Sequence, residues 1–166
     1  MKIRLATISD IDRVALMHMN AWSEAYRGIF PNSILEKLKP NDFSEKWYSW
    51  LKDPLRVNWI VQSKDIFPGF ISFGNTEKED TIKNWEIFAI YIDPDYWGQG
   101  IGKSLMTSCM DFLKDNEISQ VRLWVVQQNV GAQRFYENMG FIKTHKTRKQ
   151  ERFGISFYQA NFIYNL

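Results

Sequence analysis

Cysteine is nearly missing from this sequence. Cys109 is the only one, so no disulfide can form within the chain, and His18 and His145 are too few to complete a zinc cluster with it. Neither sign of charge is in surplus, since 21 Lys and Arg face 19 Asp and Glu for a formal net charge of +2. That balance exerts no overall pull toward nucleic acid or a membrane surface, so an anionic ligand has to be held locally. No apolar run approaches the ~20 residues of a membrane span, and Lys2, Ile3, Arg4 and Leu5 alternate where a signal-type apolar core would lie. Together these absences predict a soluble, cytoplasmic protein with no metal, no nucleic-acid partner and no membrane partner.

What is present is enough for one core. The chain has 166 residues, 45% hydrophobic and 24% charged, which predicts a single domain over residues 1–166. Alternation predicts a first strand at Lys2 to Ala6, and Ser9 or Asp10 caps a helix to about Tyr26 whose inner face carries Ile11, Val14, Ala15, His18, Ala21, Trp22 and Ala25. Two short amphipathic helices, near residues 33–38 and 43–51, follow. Trp59 to Gln62 and Gly69 to Phe73 read as an antiparallel pair joined by a turn containing Pro68, and the polar stretch Asn75 to Asn84 makes the next turn. Trp85 to Ile92 is a nearly continuous apolar strand stopped by Asp93 and Pro94. A helix from Ile101 to about Asn116 with Cys109 inside, a strand at Val121 to Val126, a helix from Asn129 to about Met139 and two last strands complete the chain. The fold class is thus α/β (α+β), a mixed, mostly antiparallel sheet of six to seven strands with about four helices.

Between the apolar strand and its helix lies Trp97, Gly98, Gln99, Gly100, Ile101, Gly102, Lys103, Ser104. Alternating glycines let backbone N–H groups converge at a helix start, which suits a pyrophosphate. A P-loop needs four residues between its first glycine and Gly-Lys-Ser, whereas Gly98 and Gly102 enclose three. A dinucleotide fingerprint would place its third glycine at Lys103 and would open the fold instead of lying past its middle.

The run from Glu86 to Leu105 resembles the acetyl-CoA-binding motif of the GNAT superfamily of N-acetyltransferases, and Asn129, Ala132, Phe135, Tyr136, Gly140 and Phe141 are similar to its following motif. Trp97 departs from the Arg or Gln usual there, leaving Gln99 or Lys103 to serve the phosphates. The resemblance implies acetyl-CoA as cosubstrate, bound by residues 97–104, by the backbone of Ile90, Tyr91 and Ile92, and by Asn129, with acetyl transferred directly to a primary amine of a small molecule or peptide. Glu86, on a two-residue period with Phe88, Ile90 and Ile92, is an unusual carboxylate on a core face and the candidate base. Tyr136 matches the general acid that protonates the departing thiolate. Trp22 to Pro31 resembles the acceptor side, which makes Trp22, Tyr26 and Glu86 the expected substrate-binding residues. The alternative is a non-catalytic acyl-CoA sensor. Lys143, Lys146, Arg148, Lys149 and Arg152 read as a solvated hairpin face, and an apolar face on the last strand would allow a homodimer.

Overall fold

A computed structural model of the protein describes residues 1–77 and 84–166; residues 78–83, the middle of the expected Asn75–Asn84 turn, lie outside the described residues. Seven strands form one sheet in the order β1-β2-β3-β4-β5-β7-β6, where β1 is Lys2–Leu5, β2 Arg56–Ser63, β3 Ile66–Asn75, β4 Trp85–Ile92, β5 Gln120–Val126, β6 Ile142–Arg152 and β7 Ile155–Asn165. Among the described residues five α-helices accompany it: α1 Ile11–Ala25, α2 Asn32–Leu35, α3 Pro40–Lys52, α4 Ile101–Asp115 and α5 Val130–Asn138. The expected mixed, mostly antiparallel sheet is therefore present, and its parallel pair is β4 with β5.

Alternation along the strands sends neighbouring residues to opposite faces, so the sheet separates two cores. Val61, Ile71, Phe73 and Ile87 pack with Leu105, Met106, Cys109 and Leu113 of α4. Ile60 and Phe70 pack on the other face with Val14, Trp22, Phe43 and Trp47 of α1 and α3. The start of α1 is tied to β1, because Arg4 donates to both oxygens of Asp10 at 2.7 and 2.8 Å while Asp10 accepts from the Thr7 N–H at 2.8 Å.

Two irregularities depart from the sequence reading. Pro68 does not form the β2–β3 turn, which lies at Lys64 and Asp65; it sits inside β3 at a bulge, where Val61 pairs with Gly69 but Ser63 with Ile66, and a missing N–H is tolerated. In β4, Ser72 pairs with Ala89 while the adjacent Phe73 pairs with Ile87, so Phe88 is the extra residue of a second bulge. Glu86 thereby shares a face with Ala89, and Ile87 shares the other with Ile90, which breaks the expected common face of Glu86, Ile90 and Ile92. The last strand, β7, lies inside the sheet, paired by β5 on one side and β6 on the other. Among the described residues no helix is long and apolar enough to cross a membrane.

His18 is 1% exposed, and among the described residues neither ring nitrogen has a hydrogen-bond partner. Its neighbours are the rings of Phe70 at 4.7 Å, Phe43 at 4.8 Å and Tyr91 at 4.9 Å. Burial, reinforced by the charges of Lys46 and Arg152, pushes its pKa well below the ordinary imidazole value. The unfolded chain takes up a proton near pH ~6.5 that the native state refuses, so stability holds above that pH and falls below it at up to ~1.4 kcal/mol per pH unit. Substituting His18→Met is expected to flatten the loss between roughly pH 6.5 and 4, measured by urea unfolding across that window.

Candidate active site

The glycine loop is built by its flanks. Asp93 ends β4 and its side chain accepts from the Asp95 N–H at 3.0 Å, which starts a short 3-10 turn over Pro94–Tyr96. Gly98 and Gly100 then adopt φ of 75° and 77°, in the left-handed region, and a Cβ built on either meets nothing within 4 Å. Their surface is open to a ligand. Among the described residues, the successive N–H groups from Gly98 to Lys103 find no acceptor, and the first amide bonded back is that of Ser104, to Gly100 O at 2.9 Å. Unpaired amides at the start of a 15-residue helix make an anion cradle.

Trp97 folds its side chain back onto the strand, and its Nε1–H donates to Ile92 O at 2.9 Å. The departure at this position thus anchors the loop. Lys103 lines the cavity described below, whereas Gln99 and Ser104 do not. The Gln99 amide is turned toward Asp95 O at 3.4 Å, so of the two side chains expected to serve the phosphates only Lys103 reaches the cavity.

A cavity of about 720 Å³ runs from this loop between β4 and β5 toward α1. It exists because β4 and β5 pair only through Trp85–Ile87 and Val121–Leu123, then part. The Asp93 N–H bonds Pro68 O on β3, so by alternation Ile92 and Ile90 turn their backbone groups to the unpaired edge and Tyr91 turns toward β3. Tyr91, expected among the coenzyme contacts, lines the cavity, and its phenol lies 3.3 Å from the Tyr26 hydroxyl at the α1 end. Asn129 lines the cavity while its Oδ1 caps α5 by accepting from Ala132 N–H at 3.0 Å, and among the described residues its amide donors have no acceptor.

Tyr136 also lines the cavity, and burial pushes its phenol above the ordinary tyrosine range, so it keeps its proton at physiological pH. The Tyr26 and Tyr91 phenols are raised by the same cause. Trp22 and Tyr26, expected on the acceptor side, line the same cavity. Glu86 is buried at 7% exposure but does not line the cavity. It accepts from Arg122 Nε at 3.0 Å and lies 3.8 Å from Arg148 Nη2. Arg148 in turn stacks 4.4 Å over Trp124 and donates to Gln159 at 2.8 Å, and both of those residues line the cavity. Cys109 is fully buried, and burial pushes its thiol up, which leaves it inert.

Glu24, Trp124 and Gln159 line the cavity without having been singled out, and so does Arg152, which was expected on a solvated hairpin face. Arg148 and Arg152 are not part of a solvated face: on β6 the even positions 148, 150 and 152 turn inward and 149 and 151 outward. Their separation by four residues, two full strand periods, was the available signal, hidden by the neighbouring lysines.

Residues 19–141 match the family model described as acetyltransferase (GNAT) family. The chain is 31% identical over 129 residues to an uncharacterized N-acetyltransferase of Bacillus subtilis, YuaI, covering 76% of this chain and 72% of that protein. It is 25% identical over 152 residues to the spermidine N(1)-acetyltransferase of Thermoplasma acidophilum, covering 84% and 87%. The fold superposes on the crystal structure of a PaiA N-acetyltransferase from Thermoplasma acidophilum in complex with coenzyme A, with TM-score 0.74, 22% identity and 96% of each chain covered.

Replacing Gly100→Ala puts a side chain at φ 77°, at an expected cost of ~1–2 kcal/mol, and crowds the approach to the free amides. Chemical denaturation should show that loss, and calorimetry with coenzyme A should show weaker binding than for the parent.

Proposed function

The chain belongs to the acetyltransferase (GNAT) family and is an N-acetyltransferase, and on that premise we propose that it acetylates a primary amine from acetyl-CoA in a ternary complex. One observation carries this reading: the unpaired amides of the glycine loop open onto a cavity that follows the unpaired edge of β4 to the buried phenol of Tyr136. The amides of residues 98–103 and Lys103 hold the diphosphate. The backbone groups of Ile90 and Ile92 pair with the amide-bearing pantetheine arm as a further strand would, and Asn129 meets it from the facing helix. Acetyl-CoA supplies the reactive thioester.

The new bond joins the amine nitrogen to the acetyl carbon, the carbon–sulfur bond breaks, the nitrogen loses a proton and the sulfur gains one. Tyr136 is placed on the cavity wall with its proton retained, the state needed to stabilise the departing sulfur. The buried Cys109 supports direct attack in preference to an acyl-enzyme. A buried free thiol also suits a reducing, cytoplasmic setting.

Glu86 touches the reaction at one remove. Its contacts support a positioning role: it pairs with Arg122 and lies near Arg148, which stands behind Trp124 and Gln159. The acceptor's ammonium form then loses its extra proton to solvent before attack, and the nitrogen gives up a second proton to solvent as the amide forms.

Calorimetry should show coenzyme A binding, and no binding would defeat the reading. Tyr136→Phe is expected to lower kcat roughly 10²–10⁴-fold with coenzyme affinity retained. For Glu86→Gln, we expect a smaller loss with the pH profile of kcat/KM unmoved; disappearance of its acid limb would instead make Glu86 the base.

A further inference from the structure

The α1 end of the cavity has an unbalanced charge. Arg152 lines it, with its guanidinium carbon 5.1 Å from the ring centre of Phe153, 5.4 Å from that of Trp22 and 5.8 Å from that of Phe43. Among the described residues, no carboxylate lies within ion-pair distance of Arg152. Glu24, the acidic residue lining the cavity, is already held by Arg27 at 2.8 Å. A second cation stands close by: the half-buried Lys46, over the Trp50 ring at 4.9 Å, is pushed down to about 7, by burial first and then by the charges of Arg152 and Arg56. Positive groups therefore press on one another beside an aromatic chamber that offers them no counter-charge, an arrangement that a bound anion relieves.

Guanidinium chemistry narrows the anion. Arg152 is planar and is flanked by rings, which limits how it turns and leaves its donor fork to meet a carboxylate with two parallel hydrogen bonds. A second ammonium brought to the same place would be repelled, so the chamber selects against polyamines as well as for anions.

Building on the acetyltransferase reading above, we propose that the acceptor is a small primary amine that also bears a carboxylate, and that this carboxylate pairs with Arg152 in the chamber walled by Trp22, Tyr26 and Phe157. Arg152 is then a specificity residue that touches the substrate, while coenzyme binding is left to the opposite end of the cavity.

The test is steady-state acetyl transfer to a panel of free amino acids, the corresponding amino acid amides, and spermidine, with coenzyme A affinity measured by calorimetry on each protein. Amino acids are expected to exceed their amides in kcat/KM by roughly 10–100-fold, the worth of one charge-assisted pair. Arg152→Gln should erase that ratio with coenzyme A affinity unchanged, which also shows the variant to be folded, and Arg152→Lys should recover part of it. Amides or spermidine used as well as the amino acids, or no turnover of any amino acid, with coenzyme A still bound, would overturn the proposal. Loss of coenzyme A binding in the parent protein would instead bring down the acetyltransferase reading beneath it.

Discussion

The structure depends on an incomplete strand pair. Beyond Ile87 and Leu123 the parallel strands β4 and β5 no longer reach each other, and a sheet that would otherwise be continuous opens in its middle. Backbone groups at such an opening need partners, and leaving them unpaired inside a protein is costly. Here one carbonyl is met by the indole of Trp97 and the rest face the cavity. Under the function proposed above, these groups are met by an extended ligand with its own amides, and the loop at the strand's end by that ligand's charge.

The two ends of the opening have different chemistry. At the α4 end the groups on offer are backbone ones, since Gly98 and Gly100 carry amides with no side chain in the way. At the α1 end they are side chains, with Trp22, Tyr26, Tyr91 and Arg152 supplying rings, hydroxyls and one cation. Tyr136 stands on α5 beside the middle of the opening. A backbone cradle is indifferent to most substitutions, whereas a side-chain wall changes with each one, so chemistry common to a family and selectivity particular to one member fit in one cavity.

Much of this was legible in the sequence. Apolar periodicity located the major helices, the Asp93–Pro94 stop located the end of β4, and the spacing of Gly98, Gly100 and Gly102 located the loop. What escaped was set by single residues acting across strands. The bulges at Phe88 and next to Pro68 leave no mark on hydrophobic pattern, because an extra apolar residue in an apolar strand looks like its neighbours. The assignment of Glu86 to a common face with Ile90 failed for that reason. Arg152 was missed for another: a basic residue on a hairpin usually points to water, and only the pairing of β6 with β7 shows that alternate residues turn inward.

The bulge at Phe88 makes one peptide unit act as a phase setter for the rest of its strand. Downstream of it, Ala89 and Tyr91 belong to the α1 core and Ile90 and Ile92 to the α4 core; upstream the parity is opposite. Removing a single residue there would leave composition and hydrophobicity almost untouched while exchanging inside for outside along everything that follows, as a shifted reading frame does to a message. Insertions and deletions in β4 are therefore far more consequential than substitutions of the same size, and the length of this strand is under tighter constraint than the identity of most of its residues.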